Sequence, residues 1–549
     1  MNNITVRNRI ICLILVLVLM PFTFGACSAQ SSSDTFKDSS SDTSGYIVSI
    51  DDEPDTVDFQ CTTIYYTVAQ NVFDRLVEME SGRSGTIKIL PSLAKSWEVS
   101  EDGRKYTFHL RDNVKFSNGS DLTSSDVYYT FVRLLTYPDS SNKDIANNIL
   151  GASKLESGET DQLEGIRIIN DLDFSITLEK PFEAFLACLS MPGASILDEE
   201  STEAAGDLFG KDAEHTIGTG SFILEKWEPE TGMLFKANPD CWAGAPLCEG
   251  VDLRFVDNTE DAKTMFENGT LDILDLDELD NSAEYFIHGD IYKDRLENVN
   301  QVGITYIALN QSVKPLDDVR VRKALQYATN RKVLLDTEYD GYGSVENGIF
   351  PHGLYGYDPD LPEIPYDPEE AVRLLKEAGY GNGLDLTMSV RSTQSQRYMQ
   401  LAKLLASMWS KAGIRLSIDT MEESEFMELR KSGKLACYTA SWIADYNDPD
   451  NFIYTFFGSK ENSEFRSLCY PNETIMERVR DARTIQNPEK RIKEYRKLQK
   501  IIVQDDAAWI PLFSRKRLYM VSERLGGFNA SWNGSVKNNY RDMSVRKAQ

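Results

Sequence analysis

One stretch of the chain gathers several residues able to do chemistry: SWIADYNDPDNF, from Ser441 to Phe452. It places the Trp442 indole, the Asp445 carboxylate and the Tyr446 phenol just before an Asn447-Asp448-Pro449 turn. The run before it, residues 435–440, reads as a strand. A strand ending in a turn presents side chains at the lip of a sheet, where α/β proteins build ligand sites. Asp445 could there meet a cation, and Trp442 could cover apolar ligand surface. The same residues also suit an Asx-type turn with Trp442 in the core, and their chemistry leaves both readings open. Asp445 and Asp448 could be imagined as a glycosidase pair, but a spacing of three around a proline suits turn residues better.

Other catalytic patterns are missing. The chain has no G-x-S-x-G, no Walker A loop, no H-E-x-x-H and no C-x-x-C. Its four histidines, His109, His215, His288 and His352, are scattered, so neither a metal site nor a cofactor is expected. The GTG of residues 218–220 lacks the following helix that a phosphate loop needs, and reads as a tight crossing. Cys241 and Cys248 are close enough in sequence to form a disulfide or can stay free.

These residues must be positioned by a large body. At 549 residues the chain exceeds one ordinary domain and suggests about two to four lobes. With 41% hydrophobic and 26% charged residues it can build large cores. Its formal net charge of −28 disfavours nucleic acid and anionic lipid headgroups, and is compatible with cationic or zwitterionic solutes.

The N-terminus reads as an address. Arg7 and Arg9 precede an apolar run over residues 10–20 that is too short to span a bilayer, so residues 1–26 form a secretory signal peptide. Phe24-Gly25-Ala26-Cys27 resembles the lipobox of bacterial lipoproteins, with Phe24 departing from the usual Leu. That resemblance makes Cys27 a lipid anchor on the outer face of the cytoplasmic membrane. The alternative is an ordinary cleaved signal. Residues 27–45, rich in Ser and Asp, read as a flexible tether.

In the body, Tyr46 to Ile50 reads as a strand and residues 64–80 as a helix with Val68, Val72, Leu76 and Val77 along one side. Trp97 and Val99 face Tyr106, Phe108 and Leu110 across Asp102-Gly103, a hairpin signal. Thr123 with Asp126 forms an acidic capping box for a helix. Strand 251–255, helix 260–268 and strand 271–274 follow, then strand 305–310 and a helix from Pro315 to Arg331. Asp367-Pro368 starts a helix that Gly379 ends. Strands 384–390, 414–418 and 435–440 alternate with helices 394–412 and 424–432, which implies a largely parallel sheet. A helix over 487–504 precedes a strand over 509–513.

Several of these segments resemble a known family closely. Leu93-Ala94 with Ser96-Trp97-Glu98, then Asp102-Gly103, Tyr106-Thr107-Phe108, Leu110-Arg111, Val114-Lys115-Phe116, and Leu122-Thr123 with Asp126-Val127 match the hallmark of extracellular solute-binding protein family five. These are the oligopeptide- and dipeptide-binding lipoproteins of bacterial ABC importers. The motif around Trp442 resembles that family's ligand pocket, and the resemblance extends from about Tyr46 to near Val545.

The resemblance implies an α/β fold of the periplasmic-binding-protein type II-like kind. This is a two-lobed clamp with an additional domain inserted in the first lobe. The lobes divide as 46–86, 215–310 and 505–549 for the first, 87–214 for the additional domain, and 311–504 for the second. It implies that Asp445 pairs with the α-ammonium of a short peptide, with Trp442, Tyr446, Thr62 and Thr63 as further ligand contacts. The expected partners are ABC permease and ATPase subunits and the membrane through Cys27, with the body a monomer that is not an enzyme. Relatives on the same frame bind nickel chelates, haem or oligosaccharides, so a non-peptide solute stays open. So do a peptide-signal receptor and, less favoured, a tethered hydrolase.

Overall fold

The computed structural model describes residues 44–81, 85–279, 283–392, 396–530, 532 and 539–546. The expected signal peptide, Cys27 and most of the tether lie outside these residues.

The molecule is organised around one strand that serves two sheets. Trp509–Val521 carries apolar residues at both ends and Ser514, Arg515, Lys516 and Arg517 in the middle. Its first half pairs antiparallel with Gly303–Leu309, Thr305 facing Phe513 and Ala308 facing Trp509. The register shifts between Thr305 and Tyr306, where Pro511 offers no N–H to the ladder. Its second half pairs antiparallel with Ile273–Asp275 and Leu296–Asn300. Each apolar end is thus buried in a different lobe, and the polar centre lies where the lobes meet.

The first lobe's sheet runs Phe222–Glu228, Gly232–Ala237, Gly250–Phe255, Tyr46–Asp51, Ile273–Asp275 and then the crossing strand. Apolar clusters pack on it around Phe73 and Phe235, and around Phe266 and Phe286. A separate antiparallel sheet orders Ala94–Val99, Lys105–Leu110, Asp173–Thr177 and Ile166–Ile168. Tyr106, Phe108 and Leu110 all point into its core, where Phe131 of helix Ser124–Thr136 joins them. The Thr123–Asp126 capping box forms as expected.

In the second lobe, Leu384–Arg391 runs parallel to both Ile414–Met421 and Cys437–Ile443, the alternation the sequence implies. Gly303–Leu309 then inserts antiparallel between Cys437–Ile443 and the crossing strand, so the whole sheet is mixed. Trp409 packs among the helices on one side, and Tyr306, Phe456 and Trp509 fill the other.

Two local expectations are corrected. The helix expected over 64–80 spans only Thr67–Val72, and Val77–Ser81 is a strand paired with Ile87–Pro91. The Val72 carbonyl accepts the Gly220 N–H at 2.8 Å, and Phe73 turns extended at φ −118°, ψ 157°. The helix is stopped by a segment about 150 residues away, which periodicity cannot register. A methyl at Gly218 would sit 2.0 Å from the Val72 oxygen, and Thr219 donates to half-buried Asp74 at 2.9 Å. The GTG segment is therefore a close backbone crossing.

The helix expected from Pro315 to Arg331 is two helices, Val319–Ala328 and Arg331–Tyr339. Asn330 caps the second through the Val333 N–H at 3.1 Å. Cys241 and Cys248 are free and buried: Cys241 sits in a turn beside Ser221, and Cys248 packs with the first lobe's core. No helix among the described residues is long and apolar enough to cross a membrane.

Candidate functional site

Between the lobes lies a cavity of about 480 Å³. The first lobe contributes Asp51, Asp52, Ile64 and Tyr65; the second contributes Tyr398, Ser441 and Trp442. Arg515 and Arg517 of the crossing strand complete it. Both arginines are already committed. Arg515 pairs with Asp277 at 2.7 Å and donates through Nε to Gln301 Oε1 at 2.8 Å, while Arg517 pairs with buried Asp275. They are the polar centre of an otherwise apolar strand, held by acids of the first lobe.

The strand expected to end before the motif runs on to Ile443, so Trp442 belongs to the sheet, opposite Ile304. Its ring meets Phe456 edge-on, with centroids 5.4 Å apart at 84°, and the Arg466 guanidinium lies 5.5 Å from it. Trp442 is half-buried: it joins the core on one side and borders the cavity on the other.

Asn451, on the first turn of helix Pro449–Phe457, ties the motif together. Its Oδ1 accepts the Trp442 Nε1–H at 3.2 Å and the Asp445 N–H at 3.1 Å, and its Nδ2 donates to Asp445 Oδ2 at 2.9 Å. Burial pushes the Asp445 carboxyl up to about 6. The charge of Asp144 adds to the rise, and the Asn451 hydrogen bond and the Arg466 charge oppose it. The Tyr66 phenol is raised chiefly by burial, and the Asp445 charge adds to that rise. A carboxylate held this high in its range gains from a cation brought beside it.

The second half of the motif does different work. Asp448 caps helix Pro449–Phe457 by accepting the Asp450 N–H at 2.9 Å, and takes two bonds from buried Arg491 at 2.5 and 2.8 Å. Asp450 pairs with Arg483 at 3.0 Å and accepts the Tyr495 hydroxyl at 3.1 Å. Asn447 donates to Ser81 Oγ at 2.7 Å and to the Gly353 carbonyl at 2.9 Å, linking first and second lobes. With Asp448 sequestered by Arg491, an Asp445–Asp448 glycosidase pair has no geometric basis.

The structure places Tyr446 in the core of the four-stranded domain, its hydroxyl donating to Asp450 at 3.2 Å. Thr62 is buried in a turn, its Oγ1 accepting the N–H groups of Ile64 and Tyr65 at 3.3 and 3.4 Å. Its carbonyl takes Asn142 Nδ2 at 2.7 Å. Thr63 is exposed, and the next residues, Ile64 and Tyr65, border the cavity. Thr62 thus shapes the turn that presents them. Sequence reasoning missed Asn451, Tyr65, Arg466 and the crossing-strand arginines. Asn451 and Tyr65 were within reach as motif neighbours, whereas nothing local marks Arg466.

The chain matches the family model described as bacterial extracellular solute-binding proteins, family 5 middle, over residues 88–464. It is 30% identical to the dipeptide-binding protein of Escherichia coli over 82% of this chain and 84% of that one. It is 28% identical to heme-binding protein A of Haemophilus influenzae, covering 85% and 86%. Among solved structures it resembles an ABC transporter-associated periplasmic binding protein from Helicobacter pylori in complex with the peptide STSA. That match has a TM-score of 0.72 at 23% identity and covers 91% of this chain and 98% of the other.

Proposed function

The chain belongs to family 5 of the bacterial extracellular solute-binding proteins, and on that premise we propose that it captures short peptides in the interlobe cavity for an ABC importer. The observation that carries this reading is Asp445. Asn451 binds both its carboxylate and the indole of Trp442, which lines the cavity, and burial drives the carboxyl up to about 6. A peptide's α-ammonium group supplies the cation such a site favours, and Trp442 and Tyr65 offer apolar surface to the peptide's body. Thr62 and Tyr446 support the site from behind, and exposed Thr63 stands beside the cavity wall.

In this reading the first lobe comprises residues 46–86, 215–310 and 505–549, the second 311–504, and the additional domain 87–214. Trp509–Val521 is common to both lobes. Ligand entry is followed by closure about the crossing segments. Cys27, after removal of residues 1–26, carries the lipid that tethers the body outside the cytoplasmic membrane, beside its permease and ATPase partners. The role is capture and delivery, with no turnover of the ligand.

Calorimetry of the soluble body from Gly45 with di- to pentapeptides tests the reading. Binding that both Asp445→Ala and N-acetylation of the peptide abolish is the expected result. Binding indifferent to both would remove Asp445 from its role. Wild type that binds no peptide, but binds haem as its relative's name suggests, would replace the ligand class.

A further inference from the structure

A seam joins the four-stranded domain to the second lobe. Tyr446 of the second lobe is seated in that domain's apolar core, beside the buried Cys188 thiol. Its hydroxyl donates back to Asp450 of its own lobe at 3.2 Å, and Asp450 pairs with Arg483 at 3.0 Å. The Arg483 guanidinium lies over two rings, 3.7 Å from Tyr454 in its own lobe and 4.4 Å from Phe182 across the seam. Phe182 is itself buried, and it does not line the interlobe cavity. Further along, the Asp102-Gly103 hairpin tip meets Gln486, where a methyl at Gly103 would sit 2.3 Å from Nε2. The chain leaves the first lobe's sheet after Tyr46–Asp51 and re-enters it at Phe222–Glu228. The four-stranded domain between them is therefore tied to the first lobe, and the seam is held by side chains alone. If the second lobe swings away about the crossing segments, Tyr446 must leave the domain's core and Arg483 must leave Phe182.

Resting on the reading of peptide capture by lobe closure, we propose that Tyr446 and Arg483 form a latch with the four-stranded domain, which grips the second lobe in the closed state and so sets how long ligand is held. A buried aromatic ring and a cation over a ring both favour the state in which the two bodies touch. Contacts present in one state and absent from the other shift the balance between them, whatever the ligand. Tyr446 also follows Asp445 directly in the chain, so the latch and the ammonium partner share one turn. Withdrawal of the ring on opening pulls on the residue that holds the ligand.

The test is stopped-flow association and release of Ala-Ala and Ala-Ala-Ala with wild type, Phe182→Ala, Tyr446→Ala and Tyr446→Phe. Hydrogen exchange over residues 181–188 and 444–451 accompanies it. Phe182→Ala and Tyr446→Ala should release peptide about 10- to 100-fold faster, the scale of a buried anchor, while association changes by less than about threefold. Tyr446→Phe keeps the ring and should release at nearly the wild-type rate. In wild type, peptide should slow exchange in both segments. Release unchanged in folded Phe182→Ala overturns the proposal, as does exchange that peptide leaves unaltered, since the seam would then be permanent. Should the alanine variants fail to fold, Phe182→Leu, which keeps apolar bulk but loses the ring, must still speed release. Wild type that binds neither peptide refutes the peptide reading itself. The latch is then read without ligand: exchange over 444–451 must be faster in Phe182→Ala or Phe182→Leu than in wild type, and equal rates overturn it.

Discussion

Asp445 and Asp448 stand three residues apart, and the structure gives them opposite duties that one pair of variants can separate. Asp448 and Arg491 bury side chains that are 3% and 1% exposed, joined by bonds of 2.5 and 2.8 Å. Asp448→Asn keeps an acceptor for the helix cap but leaves the guanidinium without its charge partner. Breaking one side of such a pair costs about 3–5 kcal/mol, most of it the stranded charge. That is a large share of the roughly 5–15 kcal/mol typical of a folded domain.

Asp445→Asn does the reverse. Because burial holds the Asp445 carboxyl at about 6, well above its ordinary range, the charged form at pH 7 to 8 is a liability to the empty protein. Its removal should leave stability equal or higher while abolishing peptide binding. Urea unfolding followed by tryptophan fluorescence at pH 7.5 reads the stabilities, and calorimetry the affinities. The double variant Asp448→Asn with Arg491→Met should recover part of the loss, since no unpaired charge remains. An Asp448→Asn variant within about 1 kcal/mol of wild type would refute this account of the ion pair.

Three further outcomes are expected. Peptide affinity should weaken as pH falls through about 6, by up to about tenfold per unit, because protonated Asp445 no longer attracts the ammonium group; calorimetry across pH 5–8 checks it. At His352, burial disfavours the charged ring but the hydrogen bond and charge of Glu346 outweigh it, so the folded pKa is raised. The stability that wild type holds over His352→Gln should be full below about pH 6.5, shrink as pH rises through the raised value, and coincide with the ring's NMR titration. Gly218→Ala should destabilise by about 3 kcal/mol or more in urea unfolding, because the new methyl meets the Val72 carbonyl rather than a movable side chain.

How far the sequence reached depends on the range of the forces involved. The Asp102-Gly103 hairpin, the Thr123–Asp126 capping box and the Asp367-Pro368 helix start are decided within a few residues, and each forms as expected. The alternation of strands and helices over 384–443 likewise determined three parallel strands, since short crossovers allow little else. The motif could be located because its turn residues and strand are contiguous.

Tertiary structure decided the rest. Apolar spacing in 64–80 suits either a helix or a strand, and only the arrival of Gly220 at the Val72 carbonyl settles where the helix ends. The division of labour within SWIADYNDPDNF depends on partners distant in sequence. Arg491 claims Asp448, Arg483 claims Asp450, Ser81 claims Asn447 and Asn451 holds Asp445. Four acidic or amide side chains in one turn are nearly interchangeable in sequence. Which of them an arginine neutralises inside the protein follows from where the folded chain brings its arginines.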